Sequence, residues 1–276
     1  MPLDLSLPEL NVSRPELVGA AISANASIVP DSPGSLYLRP NLVGTDLNIG
    51  AASKPSKTAA LYVIASPVGA YLPPHMLRIV VESAIPRTTP QFGRIKCGAN
   101  YAMALGVIRR AAEEHNADQV LFAPGGFIEE TGAANFVLLE EGRLITSPLS
   151  DSFLHGVTRD SLLQLARSLG WQVEERPVSV DELVKWCKRP TAEAGLAGTA
   201  AILGGVGTLI VKGEEITVGT GTSGPGYQFD DELPEAVLHE TPSVAGVDGR
   251  DVLDDEIGVD RAPGEAHLPE HVVVLV

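Results

Sequence analysis

The chain is poor in cysteine, with only Cys97 and Cys187 among its 276 residues. Two cysteines so far apart form neither a CxxC pair nor a disulfide framework, so the sequence favours a reducing compartment, the cytoplasm. Long hydrophobic runs are missing too, since no stretch approaches the roughly 20 apolar residues that a membrane-spanning helix needs. The first nine residues lack a basic segment followed by an apolar one, and we therefore expect no signal peptide.

Positive charge is also scarce. The chain has 20 Lys and Arg against 35 Asp and Glu, which gives a formal net charge of −15. From Asp230 onward thirteen acidic residues face only Arg250 and Arg261, so this C-terminal segment alone carries −11. Such an excess of negative charge provides no positively charged surface for nucleic acid or anionic lipid, and we expect neither as a partner. The histidines show no metal-ligand spacing, and the sequence predicts no metal site.

Hydrophobic periodicity predicts helices and strands on either side of a linker rich in Pro and Gly, which ends at Pro73 and Pro74. The predicted helices are Arg14–Ala24, Asn100–Asn116, Thr158–Gly170, and one that starts at the capping box Ser179–Glu182 and stops before Pro190. The predicted strands are Leu36–Leu38, Leu61–Ala65, Gln119–Ala123, Asn135–Leu139 and Leu144–Thr146, with a closing sheet over Gly198–Gly221.

Lys96 is the first candidate for covalent chemistry. It lies among small residues, four positions before Asn100, which we expect to cap a helix. The positive end of the helix dipole favours the neutral amine that a nucleophilic lysine needs. A lysine before a helix is nevertheless more often a solvated surface residue, so its position alone does not assign a role.

Three further motifs follow Lys96 along the chain. Glu129–Phe136 lies between two predicted strands and offers a candidate carboxylate, while Leu154–Asp160 and Gly198–Ala201 are turns of small residues. Turn amides beside a hydroxyl at a helix start bind anions. A lysine, a carboxylate and two anion-binding turns are the components of a pyridoxal phosphate (PLP) site.

Together with Leu36–Pro40 and Ala65–Tyr71, these motifs occur in the order and nearly the spacing of the branched-chain amino acid aminotransferases. Over Leu7–Gly221 the chain resembles that family of fold-type IV PLP-dependent enzymes. The resemblance implies an α+β, D-amino acid aminotransferase-like fold and a homodimer. Its domains would be 1–74, a remnant of the small domain with the linker; 75–225, the PLP-binding large domain; and 226–276, an acidic and partly irregular tail. The family's preceding segment, with its phosphate-anchoring arginine, has no counterpart here, so we expect a truncated small domain.

The resemblance also implies which residues would bind the cofactor. Lys96 would form the Schiff base with PLP and transfer the proton, Tyr101 would donate to the phenolic oxygen, and Glu130 would pair with the pyridine nitrogen. The residues implied to bind the phosphate lie in the two turns and are Val157, Thr158 and Thr199.

For the substrate, the resemblance implies two carboxylate contacts. Tyr37 and the amides of Thr199 and Ala200 would hold the α-carboxylate, and the planar fork of Arg39 would bind the second carboxylate of 2-oxoglutarate. The implied reaction is a ping-pong transamination between a branched-chain or related hydrophobic amino acid and 2-oxoglutarate.

Two other functions stay open at this point. One is an impaired relative that keeps the cofactor as a binding or regulatory module. The other is a fold-type IV lyase, although Tyr37–Pro40 resembles the aminotransferases more closely. His155 stands where the family usually has a proline, and it is either a conformational variant or a partial cation near the phosphate.

Overall fold

The computed structural model of the chain describes residues 14–31, 34–47, 54, 56–69, 73, 75–140, 142–199, 202–222 and 272–274. The chain divides into two compact units, of which the first comprises Met1–Tyr71 with Pro242–Val276 and the second Leu72–Thr241. Within the described residues, no helix combines the length and the apolar character needed to span a membrane.

The described elements are four α-helices and eleven strands. The helices are α1 (Arg14–Asn25), α2 (Gly98–His115), α3 (Val157–Ser168) and α4 (Val180–Cys187). The strands are β1 (Ser35–Gly44), β2 (Ala59–Val68), β3 (Leu77–Glu82), β4 (Gln119–Phe122), β5 (Asn135–Glu140), β6 (Arg143–Thr146), β7 (Gln172–Glu175), β8 (Glu193–Gly198), β9 (Ile202–Val211), β10 (Glu214–Thr217) and β11 (Val272–Val274).

The first unit is a small sheet with one helix. Strands β1 and β2 pair antiparallel over their full lengths, and β11 adds to β1 in parallel. Leu36 and Leu38 on β1 are fully buried and pack with Ile22 of α1. Since strand side chains alternate between faces, Tyr37 and Arg39 lie on the opposite face of β1 from this core.

The second unit is built on a mixed sheet with the strand order β4-β3-β9-β8-β5-β6-β7, and β10 also pairs with β9. Pairing is parallel between β3 and β4, between β3 and β9, and between β6 and β7. Pairing is antiparallel at β9–β8, β8–β5 and β5–β6. Such mixed pairing with helices on the sheet is an α+β arrangement, and the predicted fold class is confirmed at this level.

Helices α3 and α4 follow their sequence signals. Gly170 adopts φ +77° just after α3, as predicted for a residue that ends a helix in the left-handed conformation. The Ser179 side chain accepts a hydrogen bond from the Glu182 amide at the start of α4, so the predicted cap is confirmed. The end of α3 and the start of α4 are therefore capped by the residues that the sequence indicates, which satisfies backbone groups left without partners inside the helix.

The start of α2 differs from the prediction. The helix begins at Gly98 with Cys97 at the N-cap, three residues before Asn100, the predicted N-cap. Asn100 is buried in the first turn and uses its side chain for other contacts. The predicted end is confirmed, because Asn116 takes the left-handed conformation directly after His115.

Candidate active site

Lys96 lies in a short loop, Gly93–Cys97, that leads into α2, here called the lysine loop. Its side chain is exposed, and the Nζ donates a hydrogen bond of 2.9 Å to the hydroxyl of Tyr101 in the first turns of α2. Tyr101 is therefore positioned by the helix, and Lys96 by Tyr101. The amine is accessible to a ligand from solution, as an amine that attacks an aldehyde must be.

Asn100 fixes the shape of the lysine loop. Its Nδ2 donates to the carbonyl oxygens of Phe92 at 2.7 Å and Ile95 at 2.8 Å, and its Oδ1 accepts from Thr88 Oγ1 at 2.7 Å. These bonds explain why Asn100 does not cap the helix. They fix the backbone conformation of the residues immediately before Lys96, and so restrict the positions open to the Lys96 side chain.

Glu130 is the buried carboxylate of the site, with 2% of its surface exposed. Its Oε1 accepts a 3.0 Å hydrogen bond from the Leu154 amide, and Arg87 Nη1 lies 2.9 Å from the same oxygen. Burial raises the pKa of Glu130 from 4.5 to about 7, opposed first by the charge of Arg87 and more weakly by that of Lys96. Lys96 is thus close enough to Glu130 for their charges to interact.

Arg87 is a site residue that no motif in the sequence indicates. Its guanidinium is buried, donates from Nε and Nη2 to the Gly132 carbonyl, and lies 5.3 Å from the centroid of the Tyr101 ring. Nη1 does not point an N–H along the line to Glu130, so their contact is an ion pair and not an aligned hydrogen bond. Arg87 therefore connects the tyrosine beside Lys96 to the buried carboxylate.

The N-terminus of α3 brings two hydroxyl groups together. Thr158 is buried in the first turn, and its Oγ1 lies 3.4 Å from Thr199 Oγ1, directly after β8. Val157 is 56% exposed at the helix start, where its amide has no partner within the helix. Gly156 precedes it as the N-cap, and a Cβ there would overlap the side chain oxygen of Asn135.

The segment Ser150–Gly156, which lies between β6 and α3 and is here called the connecting segment, contacts both the lysine loop and Glu130. Gly93 donates its amide to the Asp151 carbonyl at 2.9 Å. The Leu154 amide donates to Glu130, and the Leu154 carbonyl oxygen accepts from Asn135 Nδ2 at 2.9 Å. Contacts thus run without interruption from Lys96 through Tyr101, Arg87 and Glu130 to the segment that ends at α3.

Two further side chains brace the connecting segment. Ser152 Oγ donates to Glu129 Oε1 at 2.5 Å, and His155 Nε2 lies 2.8 Å from the Ser150 carbonyl oxygen. A ring nitrogen bonded to a carbonyl oxygen is the donor in that contact. This favours the conformational role for His155, which braces the backbone just ahead of Gly156.

The remaining predicted site residues lie elsewhere. Tyr37 and Arg39 belong to the first unit, where Arg39 Nη2 donates to the Tyr37 hydroxyl at 3.0 Å and the guanidinium carbon lies 5.2 Å from the ring centroid. The structure brings these two residues together on one face of β1. Ala200 lies outside the described residues.

Comparison with protein families supports the resemblance. The family model described as Amino-transferase class IV matches residues 2–188 of the chain. A probable branched-chain-amino-acid aminotransferase of Staphylococcus aureus (strain N315) is 38% identical over 169 residues, which is 58% of this chain and 47% of that protein. Branched-chain-amino-acid aminotransferase 2 of Bacillus subtilis (strain 168) is 35% identical over 168 residues, 58% of this chain and 46% of that protein. The chain spans about half the length of the curated relatives it matches.

Solved structures with the same fold agree. A branched-chain amino acid aminotransferase from T.th., solved with pyridoxamine 5'-phosphate, superposes with a TM-score of 0.64 at 25% identity, covering 80% of this chain and 70% of that one. The PLP form of the branched-chain amino acid aminotransferase from Thermobaculum terrenum gives a TM-score of 0.57 at 26% identity, covering 72% of this chain and 62% of that one. These matches confirm the fold-type IV architecture. The chain belongs to the class IV aminotransferase family, and its similarity within that family lies with the branched-chain amino acid aminotransferases.

Proposed function

We propose that the chain is a PLP-dependent aminotransferase that exchanges the amino group of a branched-chain or related hydrophobic amino acid with 2-oxoglutarate. The observation that carries this proposal is the series of contacts in the second unit from the Lys96 amine through Tyr101, Arg87 and Glu130 to the Leu154 amide. Leu154 lies four residues before Thr158, whose hydroxyl is paired with that of Thr199. The names of the relatives add the substrate class, and two of the solved neighbours hold PLP or its amine form.

The residues of the second unit fit the cofactor at each of its polar groups. The amide of Val157 and the hydroxyls of Thr158 and Thr199 offer donors for a phosphate at the positive end of α3. At the other end, the buried Glu130 suits a protonated ring nitrogen, and Tyr101 places a hydroxyl beside the amine. When bound, PLP supplies an electron sink for the negative charge that develops at the substrate Cα.

Lys96 has two tasks in this proposal. Its accessible amine attaches the cofactor, and once released by the incoming amino acid it carries the proton that leaves the substrate Cα. The Tyr101 hydroxyl accepts a 2.9 Å hydrogen bond from Nζ, and the charge of Lys96 weakly lowers the pKa of Glu130. Glu130, whose raised pKa is opposed by the charge of Arg87, would stabilise a positive charge on the ring nitrogen in its ionised form.

Substrate carboxylates are assigned to the residues named by the resemblance. In the second unit, Thr199 and Ala200 supply backbone amides for a substrate α-carboxylate. In the first unit, the Tyr37 hydroxyl is a candidate donor for a carboxylate. Arg39 binds the second carboxylate of 2-oxoglutarate with its planar fork. The 3.0 Å contact between Arg39 and Tyr37 supports a shared role, because it presents a hydroxyl and a guanidinium at one place on β1.

The first experiment tests covalent attachment. Purified protein mixed with PLP should develop a visible absorbance band, and borohydride reduction followed by peptide mass spectrometry should locate the cofactor on Lys96. Lys96→Ala should lose both signals, because the attaching amine is gone. Lys185→Ala, at an exposed position of α4, is the matched control and should keep them. A band that survives in Lys96→Ala would show that another amine is used.

The second experiment tests turnover. L-Leucine or L-isoleucine added to the loaded protein should bleach the visible band and release a 2-oxo acid, and 2-oxoglutarate should restore the band. A stable cofactor with no such half-reaction would instead identify the protein as a cofactor-binding or regulatory relative. Release of pyruvate from aminodeoxychorismate, without response to leucine, would identify a lyase.

A further inference from the structure

Arg159 is a buried cation that the proposed chemistry does not use. It directly follows Thr158 in the first turn of α3 and is 2% exposed. A guanidinium cannot lose its proton inside a protein, so its burial must be offset by hydrogen bonds and a nearby negative charge. Its partners therefore indicate what the residue does.

Those partners lie on the strands beneath the helix. Arg159 Nη2 donates to the Ser147 carbonyl at 2.9 Å and to Glu175 Oε2 at 2.8 Å, at the ends of β6 and β7. The other carboxylate oxygen of Glu175 accepts from Arg167 at 2.8 Å, and the bond from Arg159 is the main cause of the lowered pKa of Glu175. The guanidinium thus ties the first turn of α3 to the sheet.

The connection continues toward the carboxylate of the site. Ser147 is buried, and its Oγ donates at 2.6 Å to the carbonyl of Ile128, two residues before Glu130. Arg159 and Ser147 therefore connect the helix turn carrying Thr158 to the backbone carrying Glu130. This route is separate from the one through the Leu154 amide, and together the two fix the helix start relative to the carboxylate.

We propose that Arg159 is a positioning residue for the phosphate end of the cofactor site. It touches neither Thr158 Oγ1 nor Thr199, and it holds the helix turn so that the Val157 amide and the Thr158 hydroxyl point at one place. This inference rests on the proposed function. It predicts that Arg159 sets the preference of the protein for a phosphorylated cofactor over the same aldehyde without phosphate.

The test compares PLP with pyridoxal, which lacks the phosphate, by absorbance titration of the full chain. Arg159→Gln should weaken PLP binding by about tenfold or more relative to its effect on pyridoxal, since a misplaced turn loses phosphate contacts only. Arg167→Gln is the matched control, because Arg167 contacts the same Glu175 from a half-exposed position on the same helix. That control should change either affinity by less than about threefold. Arg159→Lys keeps the charge without the planar fork, and its loss of PLP affinity relative to pyridoxal should lie between those of Arg159→Gln and Arg167→Gln.

The outcomes separate the two proposals. Failure of the unchanged protein to bind PLP would overturn the proposed function. Binding by the unchanged protein, with equal losses of PLP and pyridoxal affinity in the Arg159 variants, would leave that function standing and reduce Arg159 to a purely structural residue. If Arg159→Gln does not fold, Arg159→Lys decides, because its ratio of PLP to pyridoxal affinity either falls or stays unchanged.

Discussion

At the scale of single residues, the ion pair between Arg87 and Glu130 determines the electrostatics of the site. Both side chains are almost fully buried, and their charged atoms are 2.9 Å apart. Removing one partner of a buried pair leaves an uncompensated charge, which costs several kcal/mol in other proteins. Glu130 still has a pKa raised to about 7, since burial outweighs the attraction of the guanidinium.

This raised pKa predicts a pH dependence of stability in the cofactor-free protein. The folded state holds the Glu130 proton more tightly than the unfolded state, so the contribution of this group is complete below about pH 4.5 and is lost as the pH rises through about 7. Glu130→Gln removes this titration, and its stability relative to the unchanged protein should therefore rise between pH 5 and pH 8. Denaturant unfolding at pH 5 and at pH 8 measures this difference in the free energy of unfolding. Glu113→Gln, at an exposed position of α2, is the control. Identical pH trends for the unchanged protein and Glu130→Gln would contradict the raised pKa.

Motifs in the sequence indicate the chemical groups of the candidate site, but not the residues that support them. Lys96, Tyr101, Glu130, Thr158 and Thr199 were indicated by ordered motifs, and the structure brings all five into one unit. Arg87 lies in a stretch of Pro and Thr that has the composition of an exposed loop. Only the folded chain brings it beside Glu130, 43 positions later, and no local pattern reports such a contact.

At the scale of elements, the close approach of the lysine loop to the connecting segment is the tightest feature of the site. A Cβ at Gly93 would overlap the backbone of Ser152 and Phe153, and backbone cannot move aside as a flexible side chain can. The conformation of Gly93 is itself ordinary, with φ −57° and ψ −38°. Space, and not backbone freedom, therefore requires glycine here.

Gly93→Ala should accordingly destabilise the protein by about 1–3 kcal/mol through overpacking. It should also weaken PLP binding, because both the lysine loop and the segment that holds Glu130 are displaced. Gly98→Ala is the control, as a Cβ at Gly98 meets nothing within 4 Å and alanine suits a helix start. Thermal unfolding and PLP titration measure both effects. Equal behaviour of the two variants would show that the loops can separate without consequence.

Helices were predicted more successfully than strands, for a physical reason. Caps such as Ser179 and left-handed ends such as Gly170 are local signals. Strand β3 follows the linker prolines, which mask its pattern, and β8 is rich in Ala and Gly and so has low β propensity. Strand β8 forms because it pairs on both sides, with β5 and β9, and such long-range pairing leaves little trace in sequence.

At the scale of the whole molecule, the candidate residues fall into two compact units with separate cores. The cofactor-binding candidates belong to the second unit, whereas Tyr37 and Arg39 belong to the first. Ligands that bind the native state stabilise the parts that they contact, by about 2.7 kcal/mol at a concentration 100 times the dissociation constant. The cofactor should therefore protect the second unit, and a dicarboxylate substrate should add protection at Tyr37 and Arg39 in the first unit.

Hydrogen exchange followed by mass spectrometry tests this division. PLP should slow exchange in peptides from α2, α3 and β5, and leave β1 and β2 unchanged. Addition of a dicarboxylate substrate analogue should then slow exchange in β1, where Tyr37 and Arg39 lie. The Lys96→Ala variant serves as the control for specific loading. Protection of β1 by PLP alone, or no response of β1 to the analogue, would contradict the roles given to these two residues.

Leu154 and Thr158 are four positions apart on one short stretch of backbone; Leu154 donates its amide to Glu130, and Thr158 lies in the first turn of α3. The separation between the carboxylate and the Thr158 hydroxyl is consequently set by a few peptide bonds. A ligand that must reach both groups is thereby selected by its length. Molecules with the same ring but a longer or shorter arm to their anion meet only one end of this fixed span.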